Sequence, residues 1–405
     1  MARTAASGSA RAGRAVIVLS TTVPVTLRFL SGQARRLREE GFEVVLLSSP
    51  GRELDSMAAR EGASVVAVPM KRRPSPISDV CALVRQIIAF RRLRPSIVSA
   101  STPKAGLLGM IAAAYIGVPV RHYLVRGLPL ATAPIWQRPV LWSMEFVACR
   151  IAHQVQCVSH SLRDDIVRRG LAKPDKCVVL CHGSSNGVDA EVRFNPSRFS
   201  VHQREEVRRE FGVPPDCLLV GFVGRLCKDK GVLELLAAWE HVSRRRPRAH
   251  LLILGPLDGS EPILSRRLEQ LRSSGRATVL TEFREPDDCY LAMDLMVLPS
   301  HREGFPNVVL EASATSLPVV TTDAVGCRDS VIDGVTGRVV AVGDVAALVG
   351  ALEEYIDSPA TRSTHGAAGR ARVLKEFRPD DIVKAQVALF QALLATRGRE
   401  TGPTS

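Results

Sequence analysis

The sequence predicts an α/β protein of two domains, each a parallel sheet wound on both faces by helices. Short apolar runs alternate with amphipathic stretches throughout: AVIVLS, FEVVLLSS, SVVAVPM and SIVSAS early, then LLVGFVG, AHLLILG, TVLTEF, LMVLPS and PVVTTD. The 405 residues exceed what one core usually fills, roughly 250 to 300 residues. One polar, turn-rich stretch, SSNGVDAEVRFNPS, interrupts the alternation and predicts a linker between domains over 14–190 and 191–380.

Taken in order, residues 1–13 are small, polar and basic, the composition of a disordered tail. AVIVLS is the first buried strand; it runs into Thr21, Thr22 and Pro24 and is too short for a secretory signal core. A helix over Phe29–Glu40, a turn at Gly41 and the strand FEVVLLSS make a βαβ unit. Helices over Glu53–Arg60 and Val80–Leu93 flank the strand SVVAVPM and the basic segment KRRPSP. The apolar run Ala105–Val120 is 16 residues long with three glycines and a proline, short of the about 20 residues a membrane span needs, and predicts a buried helix. WQRPVLWSMEFVACRIA sets Leu141, Glu145, Ala148 and Ala152 on one helical face, with Trp136, Trp142 and Phe146 among cations; core packing explains it more simply than a membrane-surface role. The strand QVQCVSHSL then leads into a helix over Arg163–Arg169. Residues 381–405 hold a last helix, Asp381–Leu394, with its apolar stripe at Ile382, Ala385, Ala388, Leu389 and Leu393, and a tail.

Residues 1–190 carry 26 Lys and Arg against 12 Asp and Glu, +14, and the remainder 28 against 29, −1. Such a field suits an anionic partner, either a membrane face or a phosphate-bearing acceptor. Nucleic acid is disfavoured, because aromatic content is only 5% and no nucleic-acid motif occurs. Nine cysteines with no C-x-x-C pair fit unpaired, mostly buried thiols in a reducing cytosol. Cys177, Cys181 and His182 lack the second ligand pair that a metal site needs.

The stretch PSHREGFPNVVLEASA carries the candidate chemistry. Glu303 falls in a strand-to-helix loop, and Glu311 about two turns into a helix whose Val308, Val309 and Ala312 form a buried stripe. At the carboxyl ends of parallel strands such carboxylates accept hydrogen bonds from sugar or ribose hydroxyls. About 75 residues earlier, GFVGRLCKDKG sets Arg225 and Lys230 where a strand meets a helix amino terminus, a site suited to phosphate. A phosphate site and a hydroxyl site together suggest a sugar nucleotide.

These residues resemble the retaining glycosyltransferases of the GT4 family, of the GT-B fold. The matching motifs are GRLxxxKG (Gly224, Arg225, Leu226, Lys230, Gly231), EGFPNVVLEA with the Glu303 and Glu311 pair, PVV followed by Gly326, DGVTG, and the hinge NGVDxxxFxP at Asn186, Gly187, Val188, Asp189, Phe194 and Pro196. The resemblance implies an acceptor-binding first domain, a donor-binding second domain and a final helix that crosses back to the first. It implies donor contacts at Gly224, Arg225, Lys230, Glu303, Gly304, Phe305, Asn307 and Glu311: the cations on the diphosphate, Glu303 on the transferred sugar, Glu311 on the ribose. Arg225, Lys230, Glu303 and Arg126 are the candidate catalytic residues.

The chain also departs from the family. Arg126 precedes Gly127 where a histidine is usual, so any role there is electrostatic, toward phosphate or a carboxylate; His122 is the alternative. The loop after the first strand lacks the family's glycine-rich cradle, Ser316 stands for a usual glycine, and Asp329 for a usual glutamate. The family's strand-end serine corresponds to Ser159 or Ser161.

No D-x-D motif occurs, so protein cations are expected in place of a divalent metal, with no cofactor beyond the nucleotide-sugar donor. The absence of a Gly-x-Gly-x-x-Gly fingerprint argues against a nicotinamide enzyme. The expected activity is transfer from a UDP-sugar to a polyprenyl-diphosphate-linked glycan, in the cytoplasm and peripheral to the inner face of the cell membrane. The rivals are transfer to a soluble natural product, a sugar-nucleotide epimerase, and a non-catalytic basic membrane-binding protein.

Overall fold

The computed structural model describes residues 14–72, 74–198, 200–258, 262–282 and 287–400. The predicted tail at 1–13, most of the loop beginning at Phe283 and the residues after 400 lie outside the described residues.

Two parallel sheets form the molecule. The first contains β1 (Val16–Ser20), β2 (Glu43–Ser48), β3 (Ser64–Ala67), β4 (Ile97–Ser101), β5 (Val120–Val125), β6 (Gln154–Cys157) and β7 (Cys177–Val178), in the order β3-β2-β1-β4-β5-β6-β7. The second contains β8 (Leu218–Val223), β9 (Ala249–Leu254), β10 (Ala277–Leu280), β11 (Leu295–Leu298), β12 (Val319–Thr322) and β13 (Gly337–Val340), ordered β10-β9-β8-β11-β12-β13. Strand order reverses beside β1 in one sheet and beside β8 in the other, and ligands of open parallel sheets bind at such points.

Period-two alternation explains how β1 serves two cores. Val18 belongs to the core that also holds Ala82, Phe90, Met110 and Ala148, from the helices Pro76–Leu93, Pro103–Ile116 and Arg138–Ile151. Ile17 and Leu19 face the opposite way, into a core completed by Leu37, Leu54 and Met57 of the helices Gln33–Glu39 and Arg52–Glu61. The last helix, Pro379–Glu400, closes that second core with Val383, Val387 and Phe390.

Several elements differ from the sequence reading. The helix expected over Phe29–Glu40 is a 3-10 turn, Pro24–Leu30, and a short helix, Gln33–Glu39, broken by Gly32 at φ 78°. The inward stripe of the last helix is Ile382, Val383, Gln386, Val387 and Phe390, and Ala388 is exposed. The helix behind Glu303 starts at Asn307, so Glu311 lies just over one turn in, and Val308 is only half-buried. All nine cysteines are free; Cys81 and Cys181 are exposed.

His122 belongs to the core. It is fully buried on β5, with Nδ1 2.9 Å from Ser99 Oγ, Nε2 3.0 Å from Gln156 Oε1, and its ring edge-on to Phe390 at 5.2 Å. Burial, partly opposed by the Gln156 hydrogen bond, lowers its pKa to about 4. The unfolded chain takes up this proton near pH 6.5 and the folded chain only near pH 4, so falling pH withdraws stability between those values and no more below them. The loss amounts to about 3 kcal/mol. His122→Gln flattens this part of the curve of Tm against pH.

Ser316 follows the C-terminus of the helix Asn307–Ala314 with φ 63°, a conformation that favours glycine. Ser316→Gly therefore raises unfolding free energy by about 1 kcal/mol in denaturant titration.

Candidate active site

The loop after β8 and the loop after β11 are stitched together residue by residue. Gly231, at φ 66°, caps the helix Val232–Arg245, and a Cβ there would lie 1.9 Å from the carbonyl oxygen of Pro299. This contact brings the 3-10 turn Lys228–Lys230 against the stretch Ser300–Phe305. Lys230 Nζ then donates to Glu303 Oε1, which also accepts from Ser300 Oγ at 3.0 Å, and both partners are largely buried. Arg302 Nη2 meets Asp229 Oδ2 at 2.6 Å, and the His301 N–H donates to the Asp229 carbonyl at 2.9 Å. His301 Nε2 lies 2.9 Å from Glu234 Oε1; this bond raises the histidine pKa and lowers that of Glu234.

The first domain meets this assembly through its own strand-end loops. Ser159, after β6, caps the helix His160–Arg168 and donates from Oγ to the Gly304 carbonyl at 2.7 Å. The Ser161 N–H donates to Asp329 Oδ1 at 3.0 Å, its hydroxyl donates to Asp329 Oδ2, and the Gly326 N–H donates to Ser161 Oγ at 2.8 Å. Arg302 Nε reaches Thr132 Oγ1 at 2.5 Å. Between these bonds the backbones touch: a Cβ on Gly304 would lie 2.1 Å from the Arg126 carbonyl oxygen, and one on Gly326 2.5 Å from that of Gly304.

Arg126 has an unusual environment for an arginine. Its guanidinium lies 5.3 Å from the Phe29 ring centre, with long contacts to the carbonyls of Thr26 (3.5 Å) and Phe29 (3.4 Å). Nε is buried without a partner, no carboxylate pairs with the group among the described residues, and burial lowers its pKa to about 10. Arg225 behaves differently: it is exposed and faces Asp258 at 3.6 Å.

The other predicted residues divide. Asn307 Nδ2 donates to Asn186 Oδ1 at 2.9 Å, so it ties its helix to the linker, and Phe305 packs on Phe377 with centroids 5.4 Å apart. Glu311 accepts from the Tyr290 hydroxyl at 2.7 Å. Asn307 and Glu311 line a cavity of about 500 Å³ together with Gly32, Arg35 and Arg60 of the first domain. Gly224 lies where β8 ends: its carbonyl oxygen would be 2.0 Å from a Cβ on Gly255. Lys230 and Glu303 are thus in contact, Glu311 opens on the 500 Å³ cavity, and Arg225 is on the exposed rim. Among the described residues, no three His, Cys, Asp or Glu side chains cluster to hold a metal ion.

Two family models match the chain, "Glycosyl transferase 4-like domain" over residues 27–183 and "Glycosyl transferases group 1" over 218–358. The capsular polysaccharide biosynthesis glycosyltransferase CapM of Staphylococcus aureus is 33% identical over 373 residues, 92% of this chain and 96% of that protein. The chain is a GT4 glycosyltransferase of group 1. Its two sheets have the GT-B arrangement: the crystal structure of Anabaena HepE with UDP and glucose superposes with a TM-score of 0.78 at 18% identity, covering 94% of this chain and all of that one. WaaG, described as involved in lipopolysaccharide biosynthesis, gives 0.68 at 14% identity, over 96% of this chain and all of WaaG. The lipopolysaccharide core mannosyltransferase LpsB of Rhizobium meliloti is 29% identical over 216 residues, 52% of this chain and 60% of LpsB.

In this glycosyltransferase the sequence reading overlooked His301, Arg302 and Asp229, which lie inside the quoted motifs, and the pairing of Ser161 with Asp329. A histidine and an arginine beside Glu303 were the available signal for the first group. The last pair is separated by 168 residues and left no local trace.

The glycine contact gives a direct test. Gly304→Ala brings a methyl group against the Arg126 carbonyl, so the domains separate there by more than about an ångström, and transfer falls about 100-fold. A crystal structure of the variant should show the Ser159–Gly304 and Arg302–Thr132 hydrogen bonds lengthened, with circular dichroism unchanged.

Proposed function

We propose that this glycosyltransferase moves a sugar from a UDP-sugar, with retention of anomeric configuration, to a hydroxyl of a polyprenyl-diphosphate-linked glycan in cell-surface polysaccharide synthesis. The observation that carries the reading is the contact between Lys230 and Glu303, a cation and a carboxylate delivered by two strand-end loops beneath the domain contact. UDP as the nucleotide is supported by the UDP complexes of HepE, and the polysaccharide role by the full-length similarity to CapM.

In this reading the bond from the anomeric carbon to the diphosphate oxygen breaks as the bond to the acceptor oxygen forms on the same face of the sugar. The acceptor proton passes to the departing diphosphate. Negative charge grows on that leaving group, and Lys230 and Arg225 are the cations suited to stabilise it: Lys230 as a largely buried, preorganised charge that acts more strongly than in water, and Arg225 from the exposed rim. Glu303 accepts hydroxyl hydrogen bonds from the transferred sugar, and Glu311 from the ribose. Arg126, which has no carboxylate partner among the described residues, suits an anionic group on the donor or the acceptor.

A panel of UDP- and GDP-sugars, with nucleotide release measured in the presence of lipid-linked acceptor, identifies the donor. Lys230→Ala and Glu303→Ala are each expected to lower kcat about 100- to 1,000-fold with that donor. Full transfer by either variant would overturn the site assignment.

A further inference from the structure

One helix of the first domain presents its apolar residues to the outside. The helix Pro76–Leu93 buries Ala82, Gln86 and Phe90 against the sheet. On its outer side Ile77, Val80, Val84 and Ile88 recur every three or four residues and are 44 to 83% exposed. Arg85, Arg91 and Arg92 lie on the same outer side. The guanidinium of Arg91 lies 5.6 Å from the ring centre of Tyr115, at the end of the neighbouring helix Pro103–Ile116, so the surface continues onto a second helix.

The helices Pro76–Leu93, Pro103–Ile116 and Arg138–Ile151 pack on one face of the sheet. The turn leading into the third leaves Ile135 and Trp136 more than three-quarters exposed. Trp142, by contrast, stacks on Phe146 at 4.8 Å and donates to the Arg169 carbonyl, a packing role. The segment 76–151, which holds all three helices, is strongly basic: nine Lys and Arg against two acidic residues, Asp79 and Glu145, the latter buried and bonded to the Tyr123 hydroxyl. Asp79 is itself paired to Lys104 at 2.7 Å. No helix among the described residues is long and apolar enough to cross a membrane.

We propose that this outer face docks on the surface of an anionic bilayer, with the stripe Ile77, Val80, Val84 and Ile88 seated at the headgroup boundary and the flanking arginines on lipid phosphates. An exposed apolar stripe bordered by cations has the chemistry of an interfacial helix, and Trp favours the same depth. Charge complementarity selects the bilayer over a second copy of this chain, since two copies meeting through this face would bring like charges together. The arrangement also serves the site. Arg126 and Trp136 lie on one continuous connection after β5, whose Thr132 is held by Arg302 of the other domain. The loop that carries Arg126 into the cleft therefore carries Trp136 out to the lipid, which brings a membrane-tethered acceptor close to the cleft mouth. That last step rests on the lipid-linked acceptor proposed above; the docking itself does not.

The test is co-sedimentation of the full chain with phosphatidylcholine vesicles, with and without phosphatidylglycerol, at low and high salt. The wild-type chain is expected to pellet with the anionic vesicles and to lose about tenfold in affinity at high salt. Val80→Asp/Val84→Asp and Arg85→Glu/Arg92→Glu are each expected to weaken binding about tenfold or more. Their UDP affinity, read by calorimetry without vesicles, should stay at the wild-type value. Absence of pelleting, equal pelleting on phosphatidylcholine alone, or variants that bind like the wild type would each overturn the proposal. So would a dimer in sedimentation velocity that Val80→Asp/Val84→Asp dissociates, which would make a second copy the occupant. Vesicle binding without UDP binding or sugar-nucleotide turnover would sink the transferase reading and leave docking standing.

Discussion

The arrangement of this molecule depends on a close approach of two backbones across the cleft, at Gly304 between Arg126 and Gly326. Residues with side chains would hold the domains apart there by more than the length of a hydrogen bond's tolerance, and the polar clamps on either side would fail together. Ser159 to the Gly304 carbonyl, Ser161 to Asp329, and Arg302 to Thr132 all have lengths that require this spacing. The glycines therefore act as a distance gauge, and the side-chain bonds hold the position that the gauge allows. Gly231 repeats the device within the second domain, where its lack of a side chain lets the turn carrying Lys230 press on Pro299.

Much of the fold was legible because it depends on local pattern. Continuous Val, Ile and Leu runs mark strands buried on both faces, and their alternation with helices leaves a parallel sheet as the economical solution. The errors fall where tertiary context overrides that pattern. Gly32 breaks the first predicted helix because the chain turns at the mouth of the 500 Å³ cavity. The stripe of the last helix is rotated, with Val383, Val387 and Phe390 inward, because it packs on the first domain's sheet layer and not on its own. His122 shares its strand with Tyr123 and Leu124, and only the structure distinguishes a buried imidazole bonded at both nitrogens from one open to the cleft.

The candidate site was legible to a different extent. Lys230 and Glu303 were singled out from their positions after two strands, and they are in contact. What the sequence could not carry is the set of partners that fixes them. His301 with Glu234, and Arg302 with Asp229, look in the sequence like ordinary surface charges, yet they bind the two loops into one unit. Asp329, noted only as a departure from a usual glutamate, is a domain clamp because its shorter carboxylate receives both the N–H and the hydroxyl of Ser161.

The charge pairing suggests how a sugar nucleotide is distinguished from a bare nucleotide under the proposed reading. Lys230 is neutralised by Glu303, and Arg225 faces Asp258, so a diphosphate arriving on these cations must displace a carboxylate. Withdrawing Lys230 leaves Glu303, largely buried, with the Ser300 hydroxyl donating to its carboxylate, and a buried carboxylate short of hydrogen bonds is costly. The hydroxyls of a transferred sugar supply the missing donors, whereas a nucleotide without its sugar supplies none there. Phosphate binding and sugar binding are therefore coupled through one ion pair: each makes the other less costly. Among the described residues Arg126 has no carboxylate to surrender; it rests on the Phe29 ring and long contacts to two carbonyls, so an anion meeting it gains a partner without displacing a carboxylate. Under the proposed reading two kinds of cation thus serve the site, one exchanged on donor binding and one standing ready for charge that arrives from the acceptor side.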